Sequence, residues 1–407
     1  MIERPSYIDR LMRLKGPGLA KVLTGMRRAG KSGILRLLEQ HLSNEGVGAD
    51  ALLRIDLELI GNTHLRNAKQ LLEHVRSHAA KDGTTYLLLD EAQEVEGIGQ
   101  VAYELMEDGR FDLYLTGSHA RLVERELADV MAGRFVEIPV FPLSFAEYWA
   151  AHAAGDNTPS KQELFNKYLR NGGLPHTLLL EDDQYALHDY LDGVYHTVIR
   201  RDVSCGLGRE DPLTVDAISA SLAMSLGNHS SANGISKALM DAGRPCSDDT
   251  VSRYLGALTD AYAFHKMRRV DLRTGTVLKT QEKYFADDLG LCSQLLVPQG
   301  ASLLGLLENV VYLELRRRYT AVYAGKRYAQ QIAFVAESAQ GRHYYMVATS
   351  VLDPNALKQA LVPLQALRDN YPKTILTLDE IGIPSHNGIM QRNLIDWLLK
   401  SGADAGR

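Results

Sequence analysis

The eight residues Gly25-Met26-Arg27-Arg28-Ala29-Gly30-Lys31-Ser32 constrain this chain more than any other stretch. They fit G-x-x-x-x-G-K-[ST], the pattern of a loop whose backbone N–H groups cradle phosphates. Such a cradle needs a strand delivering it and a helix leaving it, and the sequence supplies both. Leu19 to Thr24 is short and β-rich, and from Ser32 the residues Ile34, Leu35, Leu37, Leu38 and Leu42 recur at helical spacing. Gly25 and Gly30 permit the positive φ and close backbone approach that turn successive N–H groups toward an anion, and the helix N-terminus adds its dipole. Gly25, Arg27, Arg28, Ala29, Gly30, Lys31 and Ser32 are therefore read as the cradle of a nucleotide. Lys31 would reach the β- and γ-phosphates, and the Ser32 hydroxyl would hold Mg²⁺. The cofactors expected are ATP and Mg²⁺.

About sixty residues later the apolar run Tyr86-Leu87-Leu88-Leu89 ends in Asp90-Glu91. A strand buried in a parallel sheet reads as an apolar run, and in open α/β sheets the chemistry gathers at the carboxyl ends of strands. Asp90 is placed to hold Mg²⁺ through water, and Glu91 to polarise an attacking water. A further strand, Phe111 to Leu115, leads into Thr116-Gly117-Ser118-His119, which sets small hydroxyls at the same edge. Thr116 and Ser118 are candidate sensors of the γ-phosphate, and a helix cap is an equal reading of Ser118. Arg134, just before the strand Phe135 to Val140, is either an arginine finger acting on a neighbour's nucleotide or a surface residue.

At 407 residues the chain is long enough for two or three domains. Its formal net charge of −5 gives it no global basic field, so any nucleic-acid contact must come from a local patch. Cys205, Cys246 and Cys292 are odd in number and without a C-x-x-C pair, which suggests neither a disulfide framework nor a zinc site. His74 and His78 lie four apart on a helical segment over 67–80, but with no third ligand they read as surface histidines. A short amphipathic helix (Tyr7, Ile8, Leu11, Met12, Leu14) precedes the break Lys15-Gly-Pro-Gly18. No leader and no membrane span is expected, and a reducing cytoplasm suits the cysteine usage.

The succession G-M-R-R-A-G-K-S, L-L-L-D-E, L-T-G-S-H and A-G-R-F-V-E-I, followed by Pro142-Leu-Ser-Phe-Ala-Glu-Tyr148, resembles the prokaryotic AAA+-type ATPases that carry a C-terminal domain of unknown function. The resemblance continues through Asn171-Gly-Gly-Leu-Pro175, Lys283-Tyr-Phe285 with Asp288 and Gly290-Leu291, and Leu307-Glu-Asn-Val-Val-Tyr312. It covers essentially the whole chain. It implies an α/β fold made of a P-loop AAA+ ATPase domain over 1–150, a helical lid over 151–205, a winged helix-turn-helix over 206–285 and a degenerate nuclease-like α/β domain over 286–407. It also implies a homo-oligomer, commonly a ring.

The later residues are read on their own terms as well. The region from Leu164 to Arg201 is helical around a Gly172-Gly173 break, and Ser204 to Arg209 is a linker. Two helices, Ile235 to Asp241 and Asp249 to Ala261, flank a turn, and the second presents Ser252, Arg253 and Thr259 outward as a recognition helix would. The wing-like stretch after it carries Lys266, Arg268, Arg269, Arg273, Lys279 and Lys283, the most basic run in the chain. Arg253, Arg268, Arg269 and Arg273 are the candidate DNA contacts, with forked or branched DNA among the possible partners. Winged helices also bind proteins, so the alternative is a nucleotide-gated scaffold or regulator without motor activity. From Asn309 on, strand, strand, strand, helix, strand is the order of a restriction-endonuclease-like core. Glu308 matches the acidic residue that opens that core. Ala333 stands where the resemblance calls for an aspartate, and Met346 and Ala348 lie on the strand that should complete the site. No nuclease activity is expected.

Overall fold

The apolar runs become inner strands of a parallel sheet, because a strand covered on both faces has no side to give to water. The structure is a computed structural model that describes residues 2–131, 133–153, 159–203, 207, 211–295 and 300–400. It divides into two compact units, Met1–Pro142 with Asp260–Tyr262, and Leu143–Thr259 with Ala263–Arg407. In the first, β1 (Ala20–Thr24), β2 (Leu52–Asp56), β3 (Thr85–Asp90), β4 (Phe111–Gly117) and β5 (Phe135–Pro139) form one sheet in the order β2-β3-β4-β1-β5. Every pairing in it is parallel. Because β4 lies between β1 and β3, the carboxyl ends of these three strands, and the loops that leave them, are side by side.

Alternation within β3 shows how both faces are filled. Leu87 and Leu89 pack with Leu71, Val75, Ile98, Val101 and Leu105 of the helices Ala68–Ser77 and Ile98–Asp108. Leu88 points the other way, toward Ile34, Leu35, Leu38 and Leu42 of the helix Lys31–Asn44 and toward Tyr7 and Leu11 of the helix Pro5–Arg13. Each such fully buried side chain contributes about 1.5–3 kcal/mol of transfer free energy, which fixes the helix behind the octet against the sheet. Lys21 interrupts the apolar character of β1, yet it is fully buried, its ammonium paired with Asp112 and donating to the carbonyls of Gly16 and Leu19 (2.9 and 3.0 Å).

The second unit opens with the helices Phe145–His152 and Lys161–Asn171, each started by a serine capping box (Ser144 with Glu147, Ser160 with Glu163). The helix Gln184–Tyr195 follows and runs on through a wider turn, His196–Asp202. Of the linker expected over Ser204 to Arg209, only Leu207 lies among the described residues. The break at Gly172-Gly173 has a structural cause: Asp288 accepts from the Gly173 N–H (2.7 Å), and a Cβ on Gly172, whose φ is 77°, would fall 2.2 Å from the Asp288 carboxylate.

Interspersed with the helices Pro212–Met224, Ala232–Asp241 and Asp248–Asp260 and following them, the strands β6 (His229–Ser230), β7 (Phe264–Asp271), β8 (Val277–Ala286), β9 (Ala321–Arg327), β10 (Gln330–Ser338), β11 (Gly341–Val347), β12 (Lys373–Thr377), β13 (Ser385–His386) and β14 (Ile389–Asn393) join one sheet. Its order is β13-β14-β12-β11-β10-β9-β7-β8-β6. The hairpin read as a wing is β7–β8, and β7 pairs in parallel with β9, Arg269 opposite Ala324 and Asp271 opposite Lys326. The expected boundary between 285 and 286 thus falls at the end of a strand of a continuous sheet. A helix (Leu303–Arg318), β9, β10, β11, a helix (Pro354–Gln365) and β12 follow in the strand and helix order read from the sequence.

Candidate nucleotide-binding site and basic face

The octet leaves β1 through Gly25, at φ 150°, where a Cβ would meet the Val140 carbonyl oxygen at 2.1 Å. Only glycine fits there. From the N-terminus, the buried Arg4 guanidinium donates to the carbonyls of Ala29 (3.2 Å) and Phe141 (3.1 Å), tying the loop to the segment after β5. Lys31 is 3 % exposed. Its ammonium donates to the carbonyls of Gly25 (2.9 Å) and Met26 (3.1 Å), so it lies back over the loop, and it stands 3.7 Å from the Glu91 carboxylate. Arg27 is buried and paired with Glu58, which follows β2. Arg28 takes a left-handed φ of 70°, and Gly30 caps the helix at φ 105°.

The two carboxylates after β3 are held differently. Thr116, at the end of β4 and fully buried, donates to Asp90 Oδ1 (2.6 Å) and accepts from the Glu91 N–H (2.8 Å). Burial raises the Asp90 pKa, with hydrogen bonds from Ser32 and Thr116 opposing. The Ser32 hydrogen bond puts the octet's hydroxyl beside the Asp90 carboxylate. Glu91 turns at a left-handed φ of 54°, an unfavourable backbone state for a side-chain-bearing residue that costs about 1–3 kcal/mol and concentrates at functional sites. The turn brings its carboxylate to Lys31. Ser118 donates to Glu91 Oε2 (2.7 Å), as does the Gln93 amide. Burial alone would push the Glu91 carboxyl up, but Lys31, Gln93, Ser118 and Arg27 together bring it below its ordinary value, so it stays ionised. Adjacent carboxylates shifted in opposite directions are suited to different tasks.

Lys31, Ser32, Asp90, Glu91 and Thr116, singled out from sequence, therefore converge on one edge of the sheet, joined by Ser118. Arg4, Glu58 and Gln93 were not anticipated. Gln93 and Glu58 carry no motif, and Arg4 sits twenty residues before the loop it ties down. Arg134 begins at the other end of the sheet, where Phe135 pairs with Ala20; it is bonded to Glu107 (2.7 Å) and lies over the Tyr103 ring. His74 and His78 stack on each other at the surface.

In the second unit the basic run does not form one exposed face. Arg253, Arg268, Arg273 and Lys279 are exposed. Arg269, expected to contact DNA, is only 5 % exposed and donates to the Gln281 side chain, so that expectation is corrected: along β7 it shares a face with the buried Met267, while Arg268 between them faces out. Lys283 is likewise buried, paired with Glu308 at 2.8 Å. Ala333 and Met346 are neighbours, the Ala333 N–H lying 3.4 Å from the Met346 sulfur. The carboxylates nearest in sequence to such a site have other partners. Asp287 bonds His265, Asp288 bonds Gly173, Glu337 bonds Arg342 and Asp353 caps the helix Pro354–Gln365. Among the described residues no helix is long and apolar enough to cross a membrane.

Comparison with known proteins agrees with the first unit. Residues 18–149 match the family model of an AAA domain, and residues 162–302 match that of a domain of unknown function (DUF8612). An uncharacterized protein of Haemophilus influenzae is 30% identical over 98% of this chain and 99% of its own length. One of Methanocaldococcus jannaschii is 26% identical over 74% of this chain and 67% of its own. Among solved structures, a Walker-type ATPase of Pyrococcus abyssi superposes with a TM-score of 0.50 at 16% identity, over 72% of this chain and 96% of that one, a likeness of fold. With a full-length relative at 30% identity and an AAA domain laid over the sheet that carries the octet, the chain belongs to the same family as the Haemophilus influenzae protein and carries an AAA domain of the ATPase type.

Proposed function

We propose that the protein hydrolyses ATP at the edge formed by β1, β3 and β4, and that the convergence of Lys31, Ser32, Asp90, Glu91 and Thr116 there carries this reading. The residues fit the ligand. A glycine-lined loop admits no side chain at Gly25, the buried Lys31 ammonium donates to two carbonyls and stands beside one carboxylate, and Gln93 Oε1 is buried with no hydrogen bond among the described residues. Lys31 would exchange its carbonyl partners for the terminal phosphates. Ser32 and Asp90 would hold Mg²⁺, whose charge would offset that building on the phosphate oxygens. Glu91, ionised and fixed by Ser118 and Gln93, would accept a hydrogen bond from the attacking water and orient it in line with the γ-phosphorus. Thr116 holds Asp90 and the Glu91 backbone in register with one hydroxyl, a positioning role.

Oligomeric assembly suits Arg134, which lies at the far end of its own sheet and would act only on a neighbouring subunit. DNA is the partner we infer, through Arg253, Arg268 and Arg273 in the second unit. Phosphate release measured with and without single-stranded, duplex and forked DNA tests the reading. DNA-stimulated turnover that falls with salt supports it. ATP binding with turnover that DNA leaves unchanged would instead make the protein a nucleotide-gated scaffold.

A further inference from the structure

The sheet of the second unit brings two turns together. Because β7 and β9 run parallel, with Asp271 opposite Lys326, the turn that follows β7 (residues 272–276) and the turn that follows β9 (Tyr328-Ala329) leave the same end of the sheet. At that end the Arg273 guanidinium lies over the Tyr328 ring, 4.4 Å from its centroid, and Arg327 lies at 5.9 Å. Tyr328 is nevertheless 65% exposed. Lys326 is part-exposed and Lys279 exposed on the neighbouring strands, and Asp271 accepts from the Arg273 backbone N–H.

Tyr328 is an expensive residue to keep there. It is the first of two residues closing the hairpin in which Arg327 pairs with Gln330, and its φ is 54°. A positive φ at this position is where glycine is preferred, and a bulky side chain is a conformational outlier. Neither the fold nor a buried contact explains a ring held out into water in that state. An exposed aromatic face flanked by cations is, however, the recognition element of single-stranded nucleic acid, where unpaired bases stack and the backbone tracks positive charge. In a duplex the base faces are already stacked, so the ring has nothing to offer it.

We propose that Tyr328, backed by Arg273 and flanked by Arg327, is a stacking platform for an unpaired base of single-stranded nucleic acid. This deepens the DNA reading above and rests on it. The test is fluorescence anisotropy of labelled oligothymidylate and of a blunt duplex with the full-length protein. Tyr328→Ala should bind the single strand about 5- to 150-fold more weakly, the span expected for loss of one stacked base. Tyr328→Phe, which keeps the ring, should bind as the wild type does. Tyr328→Gly separates folding from binding: it relieves the backbone, so its melting temperature should be no lower than that of the wild type while single-strand affinity falls as in the alanine variant. Duplex affinity should be the same in all four proteins. Equal loss for duplex and single strand, or Tyr328→Gly binding like the wild type, overturns the platform and leaves DNA binding intact. Binding of neither oligonucleotide overturns both and points to an acidic protein partner.

Discussion

Replacing Glu91 by glutamine separates nucleotide binding from turnover, and the structure sets the size of both effects. At 3.7 Å and an effective dielectric of about 20, the attraction between Glu91 and Lys31 is about 4–5 kcal/mol before desolvation. Breaking one partner of such a buried pair costs about 3–5 kcal/mol. The lower end applies here, because Lys31 keeps the carbonyls of Gly25 and Met26. For a unit of this size about 3 kcal/mol lowers the melting temperature by about 6–12 °C without nucleotide. ATP restores a counter-charge to Lys31, so the gap between variant and wild type should close when a non-hydrolysable analogue is added. Catalysis does not recover, since an amide cannot take up proton density from water, and kcat should fall by about 10²–10⁴. Thermal melts with and without the analogue, nucleotide titration and phosphate release are the three readouts. Wild-type turnover, or a melting gap that persists at saturating nucleotide, would refute the roles given to Glu91 and Lys31.

Lys31→Ala should abolish nucleotide binding in the same titration, because it removes the ammonium that lies over the carbonyls of Gly25 and Met26 at the floor of the loop. Arg268→Ala with Arg273→Ala should weaken duplex binding about equally across sequences and lower the slope of log affinity against log salt by about 1.8, for two lost phosphate contacts, whereas an unchanged slope would place the patch elsewhere. Incubation with linear, circular and forked DNA in Mg²⁺ or Mn²⁺ should give no cleavage; products that disappear in Glu308→Ala would mean an ATP-driven nuclease. Burial pushes Asp288 up to about 6, against the pull of the N–H groups of Gly173, Leu291 and Gly290. Its folded form therefore binds a proton more tightly than the unfolded chain, so its stabilising contribution is full below about pH 4 and lost as pH rises through about 6. Asp288→Asn should flatten urea-melt stability across that window.

The nucleotide unit was legible because its signals are local. A strand, a glycine octet and a helix lie in one stretch of sequence, and an apolar run ending in two carboxylates marks a buried parallel strand whatever its neighbours are. What the sequence did not reveal there are side chains whose role depends on a distant partner. Nothing in Gln93 announces that Ser118 and Glu91 will surround it, and nothing in Arg4 announces the carbonyls of Ala29 and Phe141. The strand order, with β4 set between β1 and β3, also follows from packing that no local pattern encodes.

The basic run was misread for the same physical reason. Charge along a sequence predicts a charged surface only if every cation reaches water, and in a sheet that depends on register and on what covers each face. Arg269 falls two residues after the buried Met267, on the same face of β7, and is hidden with it, and the helix Leu303–Arg318 brings Glu308 against Lys283. Two residues read separately, one as a wing cation and one as the surviving carboxylate of a metal site, thus form a single buried ion pair. Each satisfies the other, because either charge left alone at that depth would cost several kcal/mol. A carboxylate already neutralised by a lysine is a poor ligand for a hard divalent cation, which needs several oxygens converging on it. Replacing Lys283 by methionine would therefore strand Glu308 and destabilise the sheet, and would leave it still without the second carboxylate that Ala333 fails to supply.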